Sequence, residues 1–393
     1  MTWRSRASIL GIGFYLVTGP LAAQQGPIED AWTFLRSGQR GKAVALLQEI
    51  IRQHPSNPDA RLLLGSIWTE EGRRDDAVTE LTEAVRLRPG SAEAQNALGE
   101  AYLKFDEPES ARAPLERAVK LQPGFSAALV NLGAALLRLG EPVAAGSYLD
   151  RGIAVLKGAA EGAYPLYLRA KIHMDRGRAE EAAADLNRAV KLRPDFPEAW
   201  SDLGEARRTL GDDSGALAAL QRAVALAPDD AIAQYRLGSE LLAQGKAHDS
   251  LEHFQEAVRI DPSDQSALNG LQRALRAADN AQAADQVKDK LAALFRAKNA
   301  EDRNSVEAIR LNNEGAALEK GGDLRGAIQK YRDALALCPD HTGIRTNLAA
   351  ALLHTGQWSE GVSQLREVLR REPGNGKVRA ALNEALSHPP PLR

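Results

Sequence analysis

The chain has 393 residues, 44% of them hydrophobic and only 5% aromatic. Lys and Arg number 50 against 52 Asp and Glu, a net charge of −2, which gives no electrostatic footing for nucleic acid or an anionic membrane surface. The single cysteine, Cys338, excludes an internal disulfide.

Residues 1–23, MTWRSRASILGIGFYLVTGPLAA, are predicted to be a secretory signal peptide. Arg4 and Arg6 give a basic start, Ile9 to Val17 an apolar run, and Gly19 and Pro20 a helix break before small residues. Cleavage is expected after Ala23. The run falls short of the roughly 20 apolar residues that span a bilayer, so no stable membrane insertion is expected after cleavage. The mature protein is expected to be exported and soluble, in a periplasm or outside the cell.

Beyond the leader the chain reads as a succession of short helix pairs. In Pro58–Ser91, Leu64, Gly65 and Trp68 share one helical face, and Ala77, Leu81, Ala84 and Val85 form the stripe of a second helix. Asn57 can cap the first helix, Gly72 can take the left-handed turn between the two, and Pro89 follows the second. Such a hairpin cannot bury its apolar face alone and needs copies on either side. Prolines recur at 34-residue steps within three groups: Pro55, Pro89 and Pro123; Pro194, Pro228 and Pro262; Pro339 and Pro373. Small residues keep the same phase at Gly65, Gly99, Gly133, Ala170, Gly204, Gly238, Gly315 and Ala349. The turn glycines Gly38, Gly72, Gly140, Gly177, Gly211, Gly245, Gly322 and Gly356 do so too.

In this period and phase the chain resembles the tetratricopeptide repeat family, whose unit is a 34-residue helix–turn–helix. The resemblance covers nearly everything after residue 24. It implies an all-α, right-handed superhelical solenoid of about ten repeats.

The expected units are about 24–57, 58–91, 92–125, 126–159, 163–196, 197–230 and 231–264, then a degenerate copy at 265–297. Three surplus residues before unit 163–196 fit a Gly/Ala loop at Lys157–Ala163. Residues 298–307, polar and without a unit-ending proline, are expected to connect two sub-domains, with Asn304 and Glu307 capping a new helix. Two further repeats follow at 308–375, then a capping helix at 376–387 and a disordered tail at 388–393.

No catalytic, cofactor or metal constellation emerges. His248 and His253 are five residues apart, on different faces of a helix, and no HExxH occurs. These two, with His341 and His354, are expected to be surface residues. Gly38–Lys42 has Ala43 where a phosphate loop needs Ser or Thr, so it reads as the repeat turn. Cys338 lacks basic neighbours that would favour a thiolate, so it reads as a tolerated substitution in a loop slot.

The resemblance further implies that first helices of successive units line a groove that holds a partner protein or peptide. The phase places Tyr164, Tyr167, Lys171 and Met174 there in one unit; Glu198, Ser201, Asp202, Glu205 and Arg208 in the next; and Tyr235, Arg236 and Ser239 in a third. Asn131, Asn313 and Asn347 occupy a slot where members of the family use asparagine on a peptide backbone. The competing reading packs Tyr167 and Tyr235 between helices and bonds the asparagines to neighbouring turns. A Lys and Asn pair one turn apart, which in one variant of the family grips a C-terminal carboxylate, is missing: Lys171 accompanies Tyr167, and Asn96 accompanies Glu100. The expectation is a non-catalytic scaffold that holds a partner protein or peptide in this groove, within an envelope assembly or export complex. The alternative is a protein that binds or helps secrete a polysaccharide.

Overall fold

The computed structural model describes residues 26–372 and 374–387; the expected leader, Pro373 and the expected tail lie outside the described residues. The chain divides into two compact units, the first ending at Gly270 and the second beginning at Leu271. Every regular element among the described residues is a helix.

The first unit holds α1 (Pro27–Arg36), α2 (Arg40–Gln53), α3 (Pro58–Glu70), α4 (Arg74–Leu87), α5 (Ala92–Lys104), α6 (Pro108–Leu121), α7 (Ser126–Arg138) and α8 (Pro142–Leu156). It continues with α9 (Ala163–Asp175), α10 (Ala179–Leu192), α11 (Pro197–Thr209), α12 (Asp213–Leu226), α13 (Ala231–Ala243) and α14 (Ala247–Ile260). The division falls within α15 (Gln265–Ala277). The second unit holds α16 (Ala281–Lys320), α17 (Leu324–Leu337), α18 (Thr342–His354), α19 (Trp358–Arg371) and α20 (Gly376–Ser387). Short turns make consecutive helices antiparallel neighbours, so each unit is an α-solenoid of packed helix pairs.

Two residues set each pair. The first is the small residue of the leading helix. A Cβ built on Gly65, Gly99, Gly133 or Gly204 would lie 2.4–2.8 Å from Cγ of Leu81, Leu115, Leu149 or Leu220, sixteen positions on in every case. At Gly238 and Gly315 the same slot receives the rings of Phe254 and Tyr331. All six large side chains are essentially buried. The second is the turn residue, seven positions after the small one. Gly72 has φ +75°, and its counterparts lie close to the same value. Where glycine is missing, Asp106 (φ +60°) and Asp279 (φ +57°) take the left-handed conformation, which a short polar side chain tolerates better than most.

Capping follows the sequence locally. The Asn57 side chain accepts hydrogen bonds from the backbone N–H groups of Asp59 and Ala60, and Pro58 opens the helix where no N–H is needed. At the Gly/Ala insertion, α8 stops at Lys157 (φ +47°) and Gly158 (φ +86°). A single 3-10 turn, Ala160–Gly162, then leads into α9.

One expectation fails. Residues 298–307 do not connect two helices; they lie inside α16, which runs unbroken for 40 residues. Nothing between Ala281 and Glu314 is Gly or Pro. Half of the run is Ala, Glu, Lys and Arg, good helix formers, so an Asn304 cap signal without a chain-reversing residue beside it does not end the helix. At the far end, Val378 of α20 is buried against Leu365 and Val368 of α19 and covers the last pair.

The left-handed turn makes a prediction. Asp106→Gly should stabilise the chain, and Gly72→Ala should destabilise it, each by about 1 kcal/mol. Thermal melts followed by helical circular dichroism would check this; equal melting temperatures for all three chains would remove the turn from the account.

Candidate partner-binding face

Successive leading helices touch one another: α3 with α5, α5 with α7, α11 with α13, and in the second unit α16 with α18. The small residue of each helix fixes one side against its own partner. Residues two and three positions earlier therefore face the preceding and following leading helices.

These positions form a polar ladder. Nδ2 of Asn131 donates to Oδ1 of Asn96 at 3.0 Å, and both residues are buried. Arg236 donates to Ser201 Oγ and Asp202 Oδ1, each at 2.8 Å. Asn347 Nδ2 donates to Asn312 Oδ1 at 2.9 Å. The Asn–Asn and Arg236–Ser201 steps each span 35 residues, one more than the repeat. Lys171 adds a cation 3.7 Å from Asp202, so this buried carboxylate lies between α9 and α13 cations.

The expected site residues therefore separate. Asn131 is 5% exposed and committed to Asn96. Asn347 is half-buried and bonded to Asn312, whereas Asn313 faces solvent one position off the ladder. Arg208 is exposed and paired with Glu205. Arg236 is half-buried and held by Ser201 and Asp202. Lys171, Tyr164 and Tyr167 come together on α9, with the Lys171 ammonium 5.6 Å from the Tyr167 ring centre and the two tyrosine rings 6.4 Å apart. Tyr235 lies two units further on, its ring 5.9 Å from that of Phe254.

The tyrosines are half-buried. Tyr167 tilts against Phe196 at 4.9 Å. Burial pushes its phenol pKa up, reinforced by the negative Asp202 and Glu198; burial also raises that of Tyr164. Both are neutral hydroxyls at physiological pH, able to donate a hydrogen bond. Beside them the Arg193 guanidinium lies 3.7 Å from the Phe196 ring centre. Burial lowers the pKa of Arg193 and raises that of Glu198. The face thus offers phenol donors, a lysine ammonium and apolar ring edges.

Sequence reasoning missed Glu100, on α5 one position after Gly99. Its carboxyl is pushed up to about 7, chiefly by burial and then by the negative Glu70, with Lys104 opposing. Its place in the repeat corresponds to Lys171, a signal available from phase alone. Of the histidines, His253 is not a surface residue: it is half-buried, with Nδ1 2.8 Å from Gln234 Oε1, and burial lowers its pKa. His341 caps α18 by accepting from the Ile344 N–H. The Cys338 thiol is half-buried, 3.7 Å from Ser305 Oγ. Among the described residues, no cluster of three His, Cys, Asp or Glu is placed to hold a metal, and no helix is long and apolar enough to cross a membrane.

Two models of the tetratricopeptide repeat match the sequence, one over residues 96–163, 167–231 and 214–265, the other over 34–98 and 318–385. The chain belongs to the tetratricopeptide repeat family. A curated relative, BBSome complex member bbs-4 of Caenorhabditis elegans, is 39% identical over 64 residues, 16% of this chain and 14% of that protein. The structure from the functional characterization of Pseudomonas aeruginosa pilF matches with a TM-score of 0.50 at 15% identity, over 54% of this chain and 95% of that one. A tetratricopeptide repeat protein from Parabacteroides merdae gives 0.47 at 18% identity, over 63% and 97%. The pilF likeness is one of fold alone.

Glu100 yields a pH prediction. Its carboxyl pKa is raised from 4.5 to about 7 on folding, so the folded chain binds more protons than the unfolded chain across that window. Its contribution therefore falls as pH rises through the window and is fully unfavourable above it. Glu100→Gln should flatten that dependence and stabilise the chain near pH 8 by on the order of 1–3 kcal/mol. Melting temperatures of both chains from about pH 4 to 8 would check it; parallel curves would contradict it.

Proposed function

We propose that this chain is a non-catalytic scaffold that works outside the cytoplasm and holds an extended segment of a partner protein against its leading helices. Tetratricopeptide repeats are interaction modules, and the face of α9, α11 and α13 supplies the chemistry. The observation that carries the reading is the grouping of Tyr164, Tyr167 and Lys171 on one helix, with Tyr235 two units on. Neutral phenols and an ammonium can donate to backbone carbonyls of a bound strand, and tyrosine is among the residue types that dominate binding hot spots. The glycan alternative is weaker at this place. A sugar platform needs an open ring face, and Tyr167 has Phe196 tilted against it and Lys171 above it. Export rests on the basic and apolar pattern of residues 1–23. An envelope assembly or export complex is the setting that pattern favours.

The partner reading is tested with the chain from Gln24 as bait in an envelope extract, beside the same chain carrying Tyr167→Ala and Tyr235→Ala. One protein enriched by the first and lost by the second, at unchanged helical circular dichroism, is the expected result. Retention by the double variant, or no enrichment, would sink it. Export is tested separately, by fusing residues 1–30 to a reporter enzyme that is active only outside the cytoplasm. Activity that disappears when residues 1–23 are deleted is expected; equal activity with and without them would refute export by this segment.

A further inference from the structure

Helix α16 carries a surface left exposed among the described residues. Among the described residues, three of the eight exposed large hydrophobic side chains lie on it: Phe295 (59% exposed), Val306 (70%) and Ile309 (50%). Half-buried Leu291 lies on the same side. At 100° per residue, Leu291, Phe295, Lys298, Asp302, Val306 and Ile309 fall within an arc of about 80° and make one stripe. The stripe is about 27 Å long at 1.5 Å per residue.

Its order is self-complementary. Read forward it runs Leu, Phe, Lys, Asp, Val, Ile; read backward from Ile309 it runs apolar, apolar, acid, base, apolar, apolar. Residues 291 and 309, and 298 and 302, are placed symmetrically about position 300, and 295 and 306 nearly so. The flanking charge repeats the pattern. Residues 285–298 contain four bases and two acids, whereas residues 301–314 contain four acids and two bases. Among the described residues neither Lys298 nor Asp302 has an ion-pair partner, whereas Arg310 further along α16 pairs with both Glu307 and Glu314.

We infer that this stripe docks a second copy of the same chain, with two α16 helices antiparallel about a two-fold axis near residue 300. Leu291 then packs on the partner's Ile309, Phe295 beside the partner's Val306, and Lys298 pairs with the partner's Asp302. An isologous interface makes each contact twice. A parallel pair would instead set Lys298 against the partner's Lys298 and Asp302 against the partner's Asp302, two repulsions. The apolar positions supply attraction, and the central charges set direction and register, as polar positions do in paired helices.

The test is sedimentation equilibrium of the chain from Gln24 at low salt, over a range reaching about 100 μM, because an interface of this size is expected to dimerise weakly. The expected result is a concentration-dependent dimer, abolished by Phe295→Ser with Val306→Ser. Lys298→Asp alone, or Asp302→Lys alone, faces like charges twice and should weaken the dimer about tenfold. The Lys298→Asp, Asp302→Lys double variant should recover it, and so should an equimolar mixture of the two single variants. All the substituted side chains are exposed, and circular dichroism would confirm that helix content is kept. A chain that stays monomeric throughout, or a dimer that survives Phe295→Ser with Val306→Ser, would overturn the inference. So would single charge variants that bind like the parent, or a double charge variant that stays as weak as the single ones.

Discussion

The fold depends on the contact between a glycine or alanine on each leading helix and a large side chain sixteen residues later. At Gly99 a Cβ would come within 2.4 Å of Leu115 Cγ, so the missing side chain is what lets the two helices approach. Fully burying a leucine stabilises by about 1.5–3 kcal/mol, and here each leucine is buried against a hole made for it. The turn residue seven positions after the small one reverses the chain, so the pair closes within a few residues. One such hairpin leaves its outer apolar face bare. Stacking against the next copy covers it, which is why stability in this architecture resides in interfaces between neighbours as much as in any single repeat.

The same contact decides what the leading helices can offer a partner. With one side locked against its own second helix, each leading helix turns the residues two and three positions before the small one toward its neighbours. Asn96 with Asn131, Arg236 with Ser201 and Asp202, and Asn312 with Asn347 are consumed there in holding successive helices together. Burying an unpaired amide or guanidinium costs more than pairing it gains, so these groups are not easily diverted to a ligand. The phenols of Tyr164 and Tyr167 and the exposed Asn313 lie outside the ladder. Structural and binding roles compete for the same face, and phase alone does not say which residues each has taken.

The repeat was legible in the sequence because sterics enforce it. A position that admits only glycine or alanine, or that needs a left-handed backbone, leaves a mark at every period. Asp106 and Asp279 escaped because aspartate at a turn is not itself periodic. The continuity of α16 was misread because a capping pattern was given weight without a residue able to reverse the chain. The ladder was invisible for another reason. Its 35-residue step depends on the stagger between neighbouring helices, a three-dimensional quantity that a 34-residue period does not contain. The raised pKa of Glu100 is equally an outcome of packing, since burial and the nearby Glu70 produce it.

In a chain built by repetition, distinctive chemistry has to come from departures from the period. Several of this chain's arginines, among them Arg52, Arg86, Arg259 and Arg370, pair with an acid three residues away, a local device supplied within one helix. On α16 between Lys288 and Arg303 no such pair occurs among the described residues, and over the same stretch Phe295 is left exposed. Solubility alone would be met by any mixture of charges on such a surface. The arrangement found is narrower: apolar residues at both ends of a stripe, a base and an acid at its centre, and opposite charge bias on its two halves. Each feature is unremarkable alone, but together they satisfy the symmetry that an antiparallel pair demands and a parallel pair forbids. That shared symmetry is the reason to look for the partner of α16 in another copy of the same helix.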